Sequence, residues 1–143
     1  MITLMNMEKC YHVTAQKKAA DAEILKAMLS SDDHGIYIHK NIETIIRNKL
    51  AIDEECAAKK PDKARIARYN SNIDVCISSV KSHLMKLGGT QQNIDEIVKY
   101  IKEEDYKQTT LSVLKLMARK NPGLNQRKYD MALQMVANRQ KQH

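Results

Sequence analysis

Lys59, Lys60, Lys63, Arg65 and Arg68 are the residues whose type and spacing point most directly to chemistry. Over these ten positions, five cations stand against one acid, Asp62. Ammonium and guanidinium groups at that density displace counterions from a phosphate backbone. They do so without reading base sequence, because phosphate contacts position and base contacts specify. Arg65 and Arg68 are three apart and share one face of a helix. Tyr69 beside them offers a ring for a base to stack on. Arg119, Lys120, Arg127 and Lys128 form a second basic group in the last third of the chain. Residues 111–143 hold 7 basic side chains and 1 acidic one. The expected partner is therefore an anion, nucleic acid first, with an anionic bilayer surface suited to the same tip.

Other chemistry finds little footing. The histidines are His12, His34, His39, His83 and His143. Neither Cys10-Tyr11-His12 nor the step from Cys76 to His83 has zinc-ligand spacing, so no metal is expected. His39 and His83 are expected to be near neighbours at one end of a helix pair, and His34 beside Asp32 and Asp33 reads as turn chemistry. No phosphate-binding glycine loop, dinucleotide fingerprint, nucleophile elbow or H-E-x-x-H occurs. The acidic triplets Asp53-Glu54-Glu55 and Glu103-Glu104-Asp105 fan outward on a helix, whereas acid-base catalysis needs carboxylates that converge. The expectation is a non-enzymatic protein with no cofactor and no small-molecule substrate.

The element that positions the basic tip is a mirror in the sequence. Ile38, Ile42, Ile45, Ile52 and Cys56 step by four and three if Lys49 fills a gap. Ile66, Ile73, Ile77, Val80 and Leu84 do the same if Asn70 fills one. The two series pair about Pro61: 56 with 66, 52 with 70, 49 with 73, 45 with 77, 42 with 80 and 38 with 84. A 3–4 spacing is the seam of a helix packed on a helix. The mirror predicts an antiparallel hairpin with arms over about 36–59 and 61–87, ended by Gly88-Gly89. Lys49 is expected to snorkel to solvent along its stem, and Asn70 to fix register, the alternative being a third helix that packs there and supplies partners.

Composition agrees with helices. The 143 residues include 4 Gly, 2 Pro, no Trp and no Phe, which leaves Ile, Leu, Met, Val and Ala to build the core. The expected fold is all-α, one domain of about six helices over 1–143. Residues 1–35 hold a first helix, Thr14 to about Leu29, with Ile24, Leu25, Met28 and Leu29 on its apolar face. Residues 36–87 hold the hairpin, and 91–140 hold three short helices. Asn93 with Glu96 reads as a capping box, Thr109 or Thr110 as the next cap, and Asn125 as the last. Tyr129, Leu133 and Val136 would face inward, with Met131 and Met135 beside them as core or contact patch. Helix, break at Asn121-Pro122-Gly123 and a helix opening with Gln126, Arg127 and Lys128 resembles a helix-turn-helix in outline.

Net charge is +7. Cys10, Cys56 and Cys76 are odd in number and unpatterned, and Cys56 falls on the seam. Reduced cysteines and an intracellular, reducing compartment are expected. No apolar run approaches the length of a membrane-crossing helix, and the first residues lack a leader's pattern.

The stretch from Ala57 to Ile66 resembles the hairpin tip of membrane-remodelling ESCRT-III filament subunits. Those proteins continue into a long helix and an acidic tail, where this chain has Gly88-Gly89 and a basic end. The same tip resembles the Lys-Lys-Asp turn of a helical small-subunit ribosomal protein that binds rRNA, without the His and Ser residues around that turn. Both likenesses stop at the tip. They imply a hairpin that meets lipid in the first case and RNA in the second. The rival to an anionic partner is a partner protein helix, met by the amphipathic helices and the methionines.

Overall fold

Two aspartates start the two arms of the hairpin. Asp32 caps α1 (Asp33–Cys56) by accepting the His34 N–H at 2.8 Å. Asp62 caps α2 (Lys63–Lys86) by accepting the N–H groups of Ala64 and Arg65 at 3.0 and 3.3 Å. Three more helices follow: α3 (Gln91–Lys102), α4 (Tyr106–Lys120) and α5 (Pro122–Lys141). The computed structural model describes residues 29, 30 and 32–141, without the side chains of 124, 125, 132 and 135–141. The expected first helix, apart from Leu29, lies outside the described residues, as do Cys10, His12 and His143. Among the described residues the architecture is all-α, with five helices where about six were expected for the chain.

The mirror is the core. Ile38, Ile42, Ile45 and Ile52 of α1 are buried, as are Ile66, Ile73, Ile77, Val80 and Leu84 of α2. Polar side chains beside the seam carry the same register. Asn41 Nδ2 donates to Ser79 Oγ at 3.1 Å, and Asn72 Nδ2 donates to Asn48 Oδ1 at 3.2 Å. Both arms stop short of their expected tips, so the turn runs from Ala57 to Asp62. Glu55 Oε1 closes it by accepting the Asp62 N–H at 2.8 Å.

Leu87 ends α2 in a Schellman turn. Gly88, at φ +88°, donates to the Met85 carbonyl, and Gly89 donates to the Leu84 carbonyl, each at 3.0 Å. The end of α3 repeats this geometry with Glu104 in the glycine position, at φ +60°. There Glu104 N–H donates to the Ile101 carbonyl at 3.1 Å and Asp105 N–H to the Tyr100 carbonyl at 2.9 Å.

Three expected caps are corrected. Thr90, not Asn93, caps α3, and Asn93 is the third residue of a reciprocal capping box. Asp105 caps α4. Thr109 and Thr110 sit inside that helix, their hydroxyls donating to the Asp105 and Tyr106 carbonyls at 2.8 and 2.7 Å. Back-bonding satisfies both hydroxyls and so lets the two residues be buried. Helix α5 begins at Pro122 rather than after Asn125, because proline fits the first helical position.

Tyr106, Val113, Leu114 and Met117 of α4 complete the core with Ile94, Ile97, Val98 and Ile101 of α3. Helix α5 packs on α4, and among its described side chains Tyr129 packs against the core. Leu133, expected inward, is 48 % exposed, and Met131 is 51 % exposed. Among the described residues α4 is the helix that α5 packs on, and these two side chains lie off that contact. Cys56 packs against the core but is disulfide-bonded, its partner sulfur lying outside the described residues. The expectation of reduced cysteines is therefore corrected at Cys56, and cysteine usage no longer argues for a reducing compartment. Among the described residues no helix is long and apolar enough to cross a membrane.

Candidate nucleic-acid interface

The tip is where sequence placed it. Lys59, Lys60, Lys63, Arg65 and Arg68 are all exposed. Space changes the charge count, however. The last turn of α1 comes back beside the turn, so residues 53–68 hold five basic and four acidic side chains. Arg65 is drawn into this set, with Nη1 3.9 Å from Glu55 and Nε 3.7 Å from Asp62. Among the described residues Lys59, Lys60, Lys63 and Arg68 have no carboxylate within ion-pair distance. The tip thus offers four cations for a phosphate, with Arg65 serving the turn. Tyr69 packs partly against the core, which removes it as a stacking platform.

The second basic group stands at the other end. Lys120 Nζ lies 3.4 Å from Asp32 Oδ2, the residue that caps α1. Helix α1 has 24 residues, so roughly 36 Å separates its two ends at about 1.5 Å per residue. Arg119 is exposed beside Lys120, and Arg127 and Lys128 follow in the second turn of α5, exposed and half-buried. These four stay together around the α4–α5 junction. They do not merge with the tip into one surface. Because α5 starts at Pro122, Gln126, Arg127 and Lys128 are not its N-terminal residues, and the helix-turn-helix outline loses its defining feature.

The flaws in the mirror also have a structural answer. Lys49 does not snorkel: it is 3 % exposed, with Nζ 3.5 Å from Glu104 Oε1. The carboxylate comes from the turn after α3, packed on the middle of the hairpin. Glu104 is a residue that sequence reasoning missed, having been read as part of a solvated acidic triplet. Its signal was a non-glycine residue at a helix end with no glycine to form the stop. Asn70 is half-buried and lines a cavity of about 210 Å³ with Lys49, Ile73 and Ile101.

The histidines pair differently from expectation. His83 meets His34, Nδ1 to Nδ1 at 3.0 Å, and Tyr37 stacks on His83 with centroids 5.0 Å apart. His39 is buried one turn further on, its Nδ1 3.6 Å from Glu43. Burial, then the charges of His34 and Lys86, hold His83 below the usual histidine range. Among the described residues no three His, Cys, Asp or Glu side chains converge to hold a metal ion. Comparison of the chain with protein-family models, curated proteins and solved structures finds no match.

Proposed function

We propose that this protein is a non-enzymatic helical module that binds the phosphate backbone of a nucleic acid through the two basic ends of its hairpin. The observation that carries the reading is the set of exposed tip cations with no carboxylate at ion-pair distance among the described residues: Lys59, Lys60, Lys63 and Arg68. Arg119, Lys120, Arg127 and Lys128 add a second site at the opposite end. Such contacts are electrostatic and indifferent to sequence. Fluorescence anisotropy of labelled duplex RNA and DNA across a salt series tests it. Affinity that falls steeply with salt and differs little between sequences supports the reading. Affinity that stays flat from low to moderate salt removes it.

The second reading is a contact with a partner helix. It rests on Met131 and Leu133 of α5, two large apolar side chains exposed among the described residues. Capture of a protein partner that survives nuclease treatment and charge reversal at the tip would favour it.

A further inference from the structure

The open end of the hairpin holds a contact that phosphate binding does not use. His34 lies in the first turn of α1 and His83 in the last turn of α2, and their Nδ1 atoms are 3.0 Å apart. Their ring centroids are 5.3 Å apart. At that separation the two nitrogens point at each other, one N–H toward one lone pair, rather than converging on a third atom.

The bond needs one donor and one bare acceptor. Two neutral rings meet that need when one is the Nδ1–H tautomer and the other is not. One neutral and one cationic ring meet it too, since the cation donates its Nδ1–H. Two cations cannot, because both Nδ1 atoms then carry hydrogen. The contact therefore survives a first proton and breaks with a second.

The surroundings tie this pair to the basic end. Tyr37 of α1 stacks on the His83 ring at 16° between planes. Lys86 of α2 bears on His83 from its own helix. Asp32 Oδ1 accepts the His34 N–H at 2.8 Å, while its Oδ2 lies 3.4 Å from Lys120 of α4. Asp33 is exposed beside it, and His39 with Glu43 occupies the next turn of α1.

We propose that the His34–His83 pair is a proton-operated clasp on the hairpin's open end, which on taking a second proton lets the arms part there and adds a cation beside Arg119 and Lys120. Acid would then strengthen phosphate binding at this end. That consequence rests on the phosphate-binding reading; the clasp does not.

Two measurements on the full chain separate them. The first is a ring-nitrogen NMR titration of His34 and His83. At neutral pH one Nδ1 should be protonated and the other bare. Contacts between the rings should persist through the first protonation of the pair and disappear with the second. Two bare Nδ1 atoms at neutral pH, or ring contacts that outlast both protonations, overturn the clasp. The second is duplex binding at one pH above both ring protonations and one below them, as the titration places them, for wild type, His34→Asn and His83→Asn. One added phosphate contact is worth about five- to tenfold near 0.1 M salt, so wild type should gain that much more on acidification than either variant. Equal gains overturn the regulation. No duplex binding at any pH, with the titration as expected, removes the phosphate-binding reading and its regulation while leaving the clasp.

Discussion

Removing the Glu104 carboxylate tests how the hairpin tolerates a lysine in its seam. Lys49 is 3 % exposed and its ammonium lies 3.5 Å from Glu104 Oε1. At an effective dielectric constant of about 20 that separation is worth roughly 5 kcal/mol of attraction, set against the cost of dehydrating both groups. Breaking a fully buried pair typically costs about 3–5 kcal/mol. The Glu104 side chain is 18 % exposed, so water can reach the site, and about 2–4 kcal/mol is expected for Glu104→Ala. Glu104→Gly removes the same carboxylate but frees a backbone held at φ +60°, so it should cost about 1 kcal/mol less. Lys49→Met places an apolar chain of similar volume among isoleucines and leaves the carboxylate at the wetter end. Its cost should be about 1–3 kcal/mol and stay below that of Glu104→Ala, because the remaining carboxylate keeps Oε1 buried. Urea denaturation of the variants gives these numbers, provided the m-value stays constant. Equal stabilities for Glu104→Ala and wild type, or a Lys49→Met variant less stable than Glu104→Ala, would refute the assignment of a buried, paired ammonium.

Gly35→Ala should destabilise by about 1–3 kcal/mol or prevent folding, because its Cβ would lie 2.2 Å from the Leu29 carbonyl oxygen, a backbone atom; thermal melting reads this. Asp62→Ala should cost about 1 kcal/mol through the lost cap of α2, as measured by the urea midpoint, with no cost meaning that Glu55 alone holds the turn. Burial pushes the Cys76 thiol up, against a smaller pull from Arg47. Its alkylation by iodoacetamide near pH 8 should therefore be much slower in the folded protein than in urea, and equal rates would contradict its placement.

The hairpin was legible because its core positions recur with helical spacing and its tip is marked by a proline. Ile38 through Leu84 were each placed on the correct face by periodicity alone. Lys49 was misjudged because its partner, Glu104, lies far along the chain, and spacing within the hairpin holds no trace of it. His83 was matched to His39 by the same mirror. The mirror describes seam residues, and His34 meets His83 from the first turn, where the chain is still entering the helix. The helix starts at Thr90 and Asp105 were missed because polar residues three to five positions on offered equally good caps. The tip's cations were legible one by one, but not the acids that the last turn of α1 folds back beside them.

The salt dependence of duplex binding with and without the tip cations tests the central claim most directly. Four phosphate contacts give a slope of log affinity against log salt of about −3.6, or roughly 150-fold weaker binding at 200 mM than at 50 mM salt. The variant Lys59→Gln, Lys60→Gln, Lys63→Gln, Arg68→Gln should bind more weakly, with a slope shallower by about that amount, while its unfolding midpoint stays near wild type. An unchanged slope would mean that the tip does not meet phosphate.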